Sequence, residues 1–203
     1  MTNTHPKKER TLVIIKPDGI QRNLIGEIIS RFERTGLKLI AMNMMVPTEE
    51  LVEKHYTLDP EWLRIAGEKS IKSAKEKGNP VLSEVPLEVG KMVLNSLKKY
   101  LTCGPVITMV WEGVHAVSIV RKLTGSTEPL SSDVGTIRGD FVIDSYQISN
   151  HDGRAVRNLI HSSGSVKEAN DEIKHWFNEK DLIEYTHIQE KILYDINIDG
   201  ILE

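Results

Sequence analysis

A single cysteine, Cys103, stands among 203 residues. An internal disulfide is therefore excluded, and with it a secreted scaffold held by cross-links; a lone thiol fits a reducing compartment. Aromatic residues make up only 5% of the chain. No aromatic and basic array suggests a single-strand nucleic-acid binder. No apolar run is long enough to span a bilayer. The segment Met1 to Arg10 is polar and lacks the apolar stretch of a secretory signal. Neither sign of charge dominates, with 26 Lys and Arg against 29 Asp and Glu. A net charge of −3 does not hold a polyanion in bulk, so a phosphate site must be local and built from a few placed cations. No His/Cys cluster has zinc spacing, and both the Walker glycine loop and the protein-kinase glycine loop are missing. The expectation is a cytoplasmic protein with no membrane contact and no specific nucleic-acid partner.

The hydrophobic share, 39%, and the charged share, 27%, are those of a globular chain able to bury a core. Thr11 to Ile15 is a β-branched run that reads as a buried strand ended by Lys16-Pro17-Asp18-Gly19. Ile25, Ile28, Ile29 and Phe32 have helical spacing within 20–35, and Gly36 stops that helix. A second strand is expected over 37–46, then a helix capped by Thr48 and running to about Tyr56. Two helices are expected at about 60–77 and 86–100. Val106 to Trp111 reads as a third strand, 113–123 as a helix, and Phe141-Val142-Ile143 as a fourth strand. Ser165-Val166-Lys167-Glu168 has capping-box spacing for a helix to about Phe177. The resulting order is β-α-β-(α)-β-α-β-α. It predicts one α/β domain, a ferredoxin-like sandwich with a four-stranded antiparallel sheet and a helical insertion. Insertions are expected at about 58–100 and 144–156. A doubly wound parallel sheet is the alternative.

His161 lies just before the expected helix start, among Ser162, Ser163 and Ser165. Imidazole titrates near neutral pH and can attack phosphorus without a strong base, and a helix N-terminus favours a phosphate nearby. Read alone, such a histidine is more often a buried structural one. Glu172 falls two turns after Ser165, placed to hold one ring nitrogen of His161. Ser163 either bridges to that carboxylate or caps the helix. Lys16, Arg121 and Arg138 are the cation candidates for phosphate. Thr127, Tyr56 and Asn158 offer neutral hydrogen bonds.

Glu9 to Gly19, His55-Tyr56, Gly104-Pro105-Val106, Met109 to Gly113, Gly135 to Phe141 and Asn158 to Ser163 occur in one order. That ordered set resembles the nucleoside diphosphate kinase family. The resemblance implies transfer of the terminal phosphoryl of a nucleoside triphosphate to a nucleoside diphosphate, by a ping-pong route through phosphorylated His161. Glu172 matches the acid that orients the nucleophile, and Ser163 the serine that bonds that acid. Lys16, Tyr56, Arg121, Thr127, Arg138 and Asn158 match the residues that hold phosphates and sugar, with Lys16 and Asn158 also addressing the ribose hydroxyls. Counting back from Gly104 puts Val93 where the family has an aromatic residue against the base, and Leu97 at the nearby aliphatic place. The resemblance also implies Mg2+ held mainly by nucleotide phosphates, and a homo-oligomer.

Overall fold

One antiparallel sheet carries the strands in the order β2-β3-β1-β4. They are β1 (Arg10–Ile15), β2 (Lys38–Met45), β3 (Val106–Glu112) and β4 (Ile160–Ser162). The computed structural model describes residues 6–199 other than 77, 79 and 82. The first five residues of the polar N-terminus lie outside the described residues, as does the expected end of a helix at 77.

The helices are α1 (Pro17–Gln21), α2 (Ile25–Glu33), α3 (Glu49–Tyr56), α4 (Trp62–Glu76), α5 (Pro86–Thr102), α6 (Ala116–Thr124), α7 (Ile137–Phe141), α8 (Tyr146–His151), α9 (Val166–Trp176) and α10 (Glu190–Leu193). The expected helix over 20–35 is two pieces. Asn23 breaks it with φ 57°, a left-handed conformation that asparagine tolerates better than most residues. Thr48 caps α3 by accepting from the Leu51 N–H at 3.2 Å.

Both faces of the sheet are covered, because β1 alternates between two cores. Val13 and Ile15 pack with Ile28 and Phe32 of α2 and Ala116 and Val120 of α6. Leu12 and Ile14 pack with Ile173 and Trp176 of α9. The ferredoxin-like arrangement therefore has helices on both sides of its sheet.

The fourth strand is not Phe141–Ile143. Thr136 accepts from the Gly139 N–H at 3.0 Å and starts α7 there, and Ile143 is fully exposed. The true β4 is only Ile160-His161-Ser162. Three residues are too short for a period-two pattern, so the sequence reads it as a loop. His161 thus sits mid-strand, opposite Ile14, and the helix begins after the strand has ended.

Helices α4 and α5 cross with their backbones touching. A Cβ on Gly67 would stand 1.8 Å from the Pro86 carbonyl oxygen, and one on Gly90 would stand 1.9 Å from that of Leu63. The chain after α9 closes over β2: the Ile183 N–H donates to the Ile40 carbonyl at 2.8 Å.

Candidate active site

Residues paired across antiparallel strands share a face. The Ile14–His161 pairing therefore turns His161 toward α9. Ser165 caps α9, accepting from the Glu168 N–H at 3.1 Å. The Glu168 carboxylate turns back to the Gly164 N–H at 3.0 Å, one residue short of the expected capping box.

One turn further, Glu172 meets the histidine. His161 Nε2 lies 2.8 Å from Glu172 Oε1, and the Ser163 hydroxyl donates to Glu172 Oε2 at 2.5 Å. An ionised carboxylate only accepts, so in the neutral imidazole the ring proton is on Nε2 and the lone pair on Nδ1. Burial alone would push the Glu172 carboxyl up, but the charge and hydrogen bond of His161, with His55 and Ser163, bring it down to about 2.

A second histidine supports this pair. His55 is buried, its ring edge-on to that of His161 with centroids 4.7 Å apart. Its Nδ1 accepts from Trp176 Nε1–H at 3.1 Å. Burial first, then the neighbouring His161, lowers His55 to about 3, so it is neutral at any working pH.

The cations come from three other elements. Lys16 follows β1 and donates from Nζ to Asn158 Oδ1 at 2.6 Å. Burial, with Arg138 nearby, lowers its ammonium to about 7 although Asp18 opposes the shift. Arg138 on α7 is only 7% exposed and reaches four backbone carbonyls: Gly125 at 3.0 Å, Ser126 at 2.9 Å, Asn158 at 3.2 Å and Ile160 at 2.6 Å. Burial lowers its guanidinium to about 10, which leaves it charged. Arg121 is exposed on α6, and its charge is felt by both Arg138 and Glu168. Thr127 is exposed, and its carbonyl accepts from Asn158 Nδ2 at 2.9 Å.

Tyr56 ends α3, and its ring lies 4.8 Å from His55 and 5.0 Å from Trp62. Burial, then Glu172, pushes its phenol well above the usual range. Val93 and Leu97 are half-buried on α5. The aromatic ring beside Tyr56 is instead Trp62, which opens α4; it stands only six positions after Tyr56 in the chain, a signal the count back from Gly104 passed over. His55, Asp18 and Tyr100 also enter this neighbourhood unforeseen. His55 and Asp18 sat inside the quoted motifs; Tyr100 carried no local signal.

Ligand atoms of His55, His161 and Glu172 lie within 4.8 Å of one another. That set is rich in nitrogen and tied into the Glu172 network, unlike the oxygen shell that magnesium requires. The Asp18 carboxylate is also occupied, accepting from Tyr100 at 2.7 Å and from the Leu159 N–H at 3.2 Å. The cations and neutral donors that remain fit phosphate oxygens rather than a metal ion held by the protein alone.

Residues 9–63 and 61–182 match the family model described as nucleoside diphosphate kinase. A nucleoside diphosphate kinase of Pyrobaculum aerophilum is 47% identical over 180 residues, covering 87% of this chain and 98% of that protein. One of Borreliella burgdorferi is 38% identical over 177 residues, covering 87% and 92%. The crystal structure of an NDP kinase from Pyrobaculum aerophilum superposes with TM-score 0.84 at 45% identity, covering 87% of this chain and all of that one. A transition-state mimic of the Borrelia burgdorferi nucleoside-diphosphate kinase, with bound vanadate and ADP, superposes with TM-score 0.72 at 39% identity, covering 89% of this chain and 94% of that one.

Proposed function

The chain belongs to the nucleoside diphosphate kinase family, and on that premise we propose how its residues carry the phosphoryl group. The enzyme transfers the terminal phosphoryl of a nucleoside triphosphate to a nucleoside diphosphate. His161 is the relay. Its Nδ1 attacks the terminal phosphorus, the N–P bond forms, and the bond to the bridging oxygen breaks as the diphosphate leaves. A second diphosphate then attacks that phosphorus and takes the group, restoring the free imidazole. The single observation behind this assignment is the His161–Glu172 bond of 2.8 Å, which fixes the proton on Nε2 and leaves Nδ1 to react.

Glu172 holds the ring and stabilises the positive charge it gains on attack, and Ser163 holds Glu172. Lys16, Arg121 and Arg138 neutralise charge on the phosphoryl oxygens in transit. Asn158 and Lys16 address the ribose, and Thr127 and Tyr56 complete the phosphate side. Trp62, rather than Val93 or Leu97, packs against the base; its ring beside Tyr56 supports this. A magnesium ion brought in with the nucleotide would supply further charge neutralisation.

The proposal includes one domain with insertions at about 58–100 and 144–156, a cytoplasmic location and a homo-oligomer. Among the described residues no helix is long and apolar enough to cross a membrane. Exposed Met42, Met44 and Val46 on and beside the edge strand β2 support association.

Incubation with ATP labelled at its terminal phosphate tests the reading. His161 should acquire a label that is labile in acid and stable in alkali. Label and turnover that persist in His161→Ala would remove His161 from the mechanism.

A further inference from the structure

We propose that Asp18 and Tyr100 are positioning residues that aim the Lys16–Asn158 pair at the nucleotide sugar. This rests on the reading above, in which that pair addresses the ribose hydroxyls.

The geometry begins with a kink. Leu159, just before β4, has φ +63°, a conformation few non-glycine residues adopt. Its side chain is fully buried, so the kink cannot relax by swinging outward. Each backbone group around it is taken. The Leu159 N–H donates to Asp18 Oδ2 at 3.2 Å, and the Leu159 carbonyl accepts from the Lys16 N–H at 2.8 Å. The preceding N–H, of Asn158, donates to the Tyr100 hydroxyl at 3.1 Å, and that hydroxyl donates to Asp18 Oδ1 at 2.7 Å. One carboxylate and one phenol thus hold two consecutive N–H groups.

The same phenol reaches the cation. Lys16 Nζ lies 5.0 Å from the centroid of the Tyr100 ring while it donates to Asn158 Oδ1 at 2.6 Å. Tyr100 therefore touches both members of the pair: the backbone of one and the charge of the other. Asn158 is held on its far side by Thr127, so its amide has one orientation, with Oδ1 toward Lys16 and Nδ2 toward the Thr127 carbonyl. Burial, with Asp18, keeps the phenol protonated far above its usual range, so it donates throughout. Tyr100 comes from the end of α5, 58 positions before Asn158 and 82 after Asp18. Through it, the α4–α5 helical pair is tied to the nucleotide pocket.

A brace that only stabilised the fold would affect all nucleotides alike. A brace that aims Lys16 and Asn158 affects those with ribose hydroxyls most. The experiment compares kcat/KM for a nucleoside diphosphate and its 2′,3′-dideoxy counterpart, using phosphorylated enzyme, in wild type, Tyr100→Phe and Asp18→Asn. Loss of the buried hydrogen bonds should lower kcat/KM by about tenfold for the hydroxyl-bearing substrate. It should change by less than about twofold for the dideoxy one. Equal losses for both substrates, or no loss for either, overturn the inference. If Tyr100→Phe does not fold, Asp18→Asn is judged by the same criteria. Wild-type enzyme that never labels at His161 removes the kinase reading itself. Wild type that labels but treats the two substrates alike removes only this inference.

Discussion

His161 and Glu172 lie eleven positions apart, on a strand and a helix, and meet at 2.8 Å between Nε2 and Oε1. The Ser163 hydroxyl holds the other carboxylate oxygen at 2.5 Å, so the acid cannot turn away from the ring.

Glu172→Gln keeps an acceptor for Nε2–H but removes the charge. The rate of His161 phosphorylation by ATP should fall by roughly tenfold to a hundredfold, as expected for losing a charged hydrogen-bond partner. Rapid-quench single-turnover kinetics measure this, and an unchanged rate would assign Glu172 to structure alone. The carboxyl also enters the stability curve. Its folded value of about 2 lies below the ordinary 4.5, so it stabilises the fold above 4.5, and that contribution is lost as pH falls toward 2. Glu172→Gln should flatten the acid limb of thermal unfolding in that window.

Lys16 predicts a pH effect of opposite origin. Its ammonium is lowered to about 7 in the free protein. As pH rises through that value the free enzyme loses a cation, so kcat/KM should decline on the alkaline side. Bound phosphates favour the charged form, so kcat should decline only at higher pH. Lys16→Arg, which stays charged, should remove the alkaline limb of kcat/KM. A limb that survives in this variant belongs to another group.

Beside its proposed work on transition-state charge, Arg138 braces the backbone. Its guanidinium joins the carbonyls of Gly125, Ser126, Asn158 and Ile160. Arg138→Ala should abolish transfer and also destabilise the fold, by about 3 kcal/mol or more, since buried carbonyls lose their donors. Arg138→Lys keeps the charge but cannot span four acceptors, so most of the stability loss should remain. Denaturant unfolding beside turnover separates the two effects. A variant as stable as wild type would show that the carbonyls find other donors.

Chelation gives a simpler contrast. The proposed magnesium carried by the nucleotide predicts that turnover stops in EDTA and returns with added magnesium. The melting temperature of the nucleotide-free protein should be unchanged, since Asp18 and Glu172 already have hydrogen-bond donors. A large EDTA-induced drop would reveal a resident ion.

How far the chain can be read before it folds depends on the range of each cue. Thr11 to Ile15 announces its strand because a buried strand needs a continuous apolar run, and Thr48 and Ser165 announce helix starts because a cap is a local bond. The ordered motifs picked out His161, Ser163, Lys16, Arg138 and Asn158, and the helical spacing after Ser165 picked out Glu172; the fold gathers the six into two hydrogen-bonded groups. Strand β4 escaped because three residues carry no period, and Phe141–Ile143 misled because the cap at Thr136 outweighs β-branched propensity. Packing brings Trp62, His55, Asp18 and Tyr100 into the same neighbourhood. Tyr100 is the clearest case: its hydroxyl meets Asn158 across 58 positions and Asp18 across 82. Residue types and local spacing supplied the candidates, a histidine with an acid behind it and cations elsewhere in the chain, and the resemblance carried by the ordered motifs supplied their chemistry. Which nitrogen is free, which arginine is also a brace and which phenol aims the lysine are long-range facts. They depend on distances between chain segments, and those distances exist only once the sheet has closed and its two cores have packed.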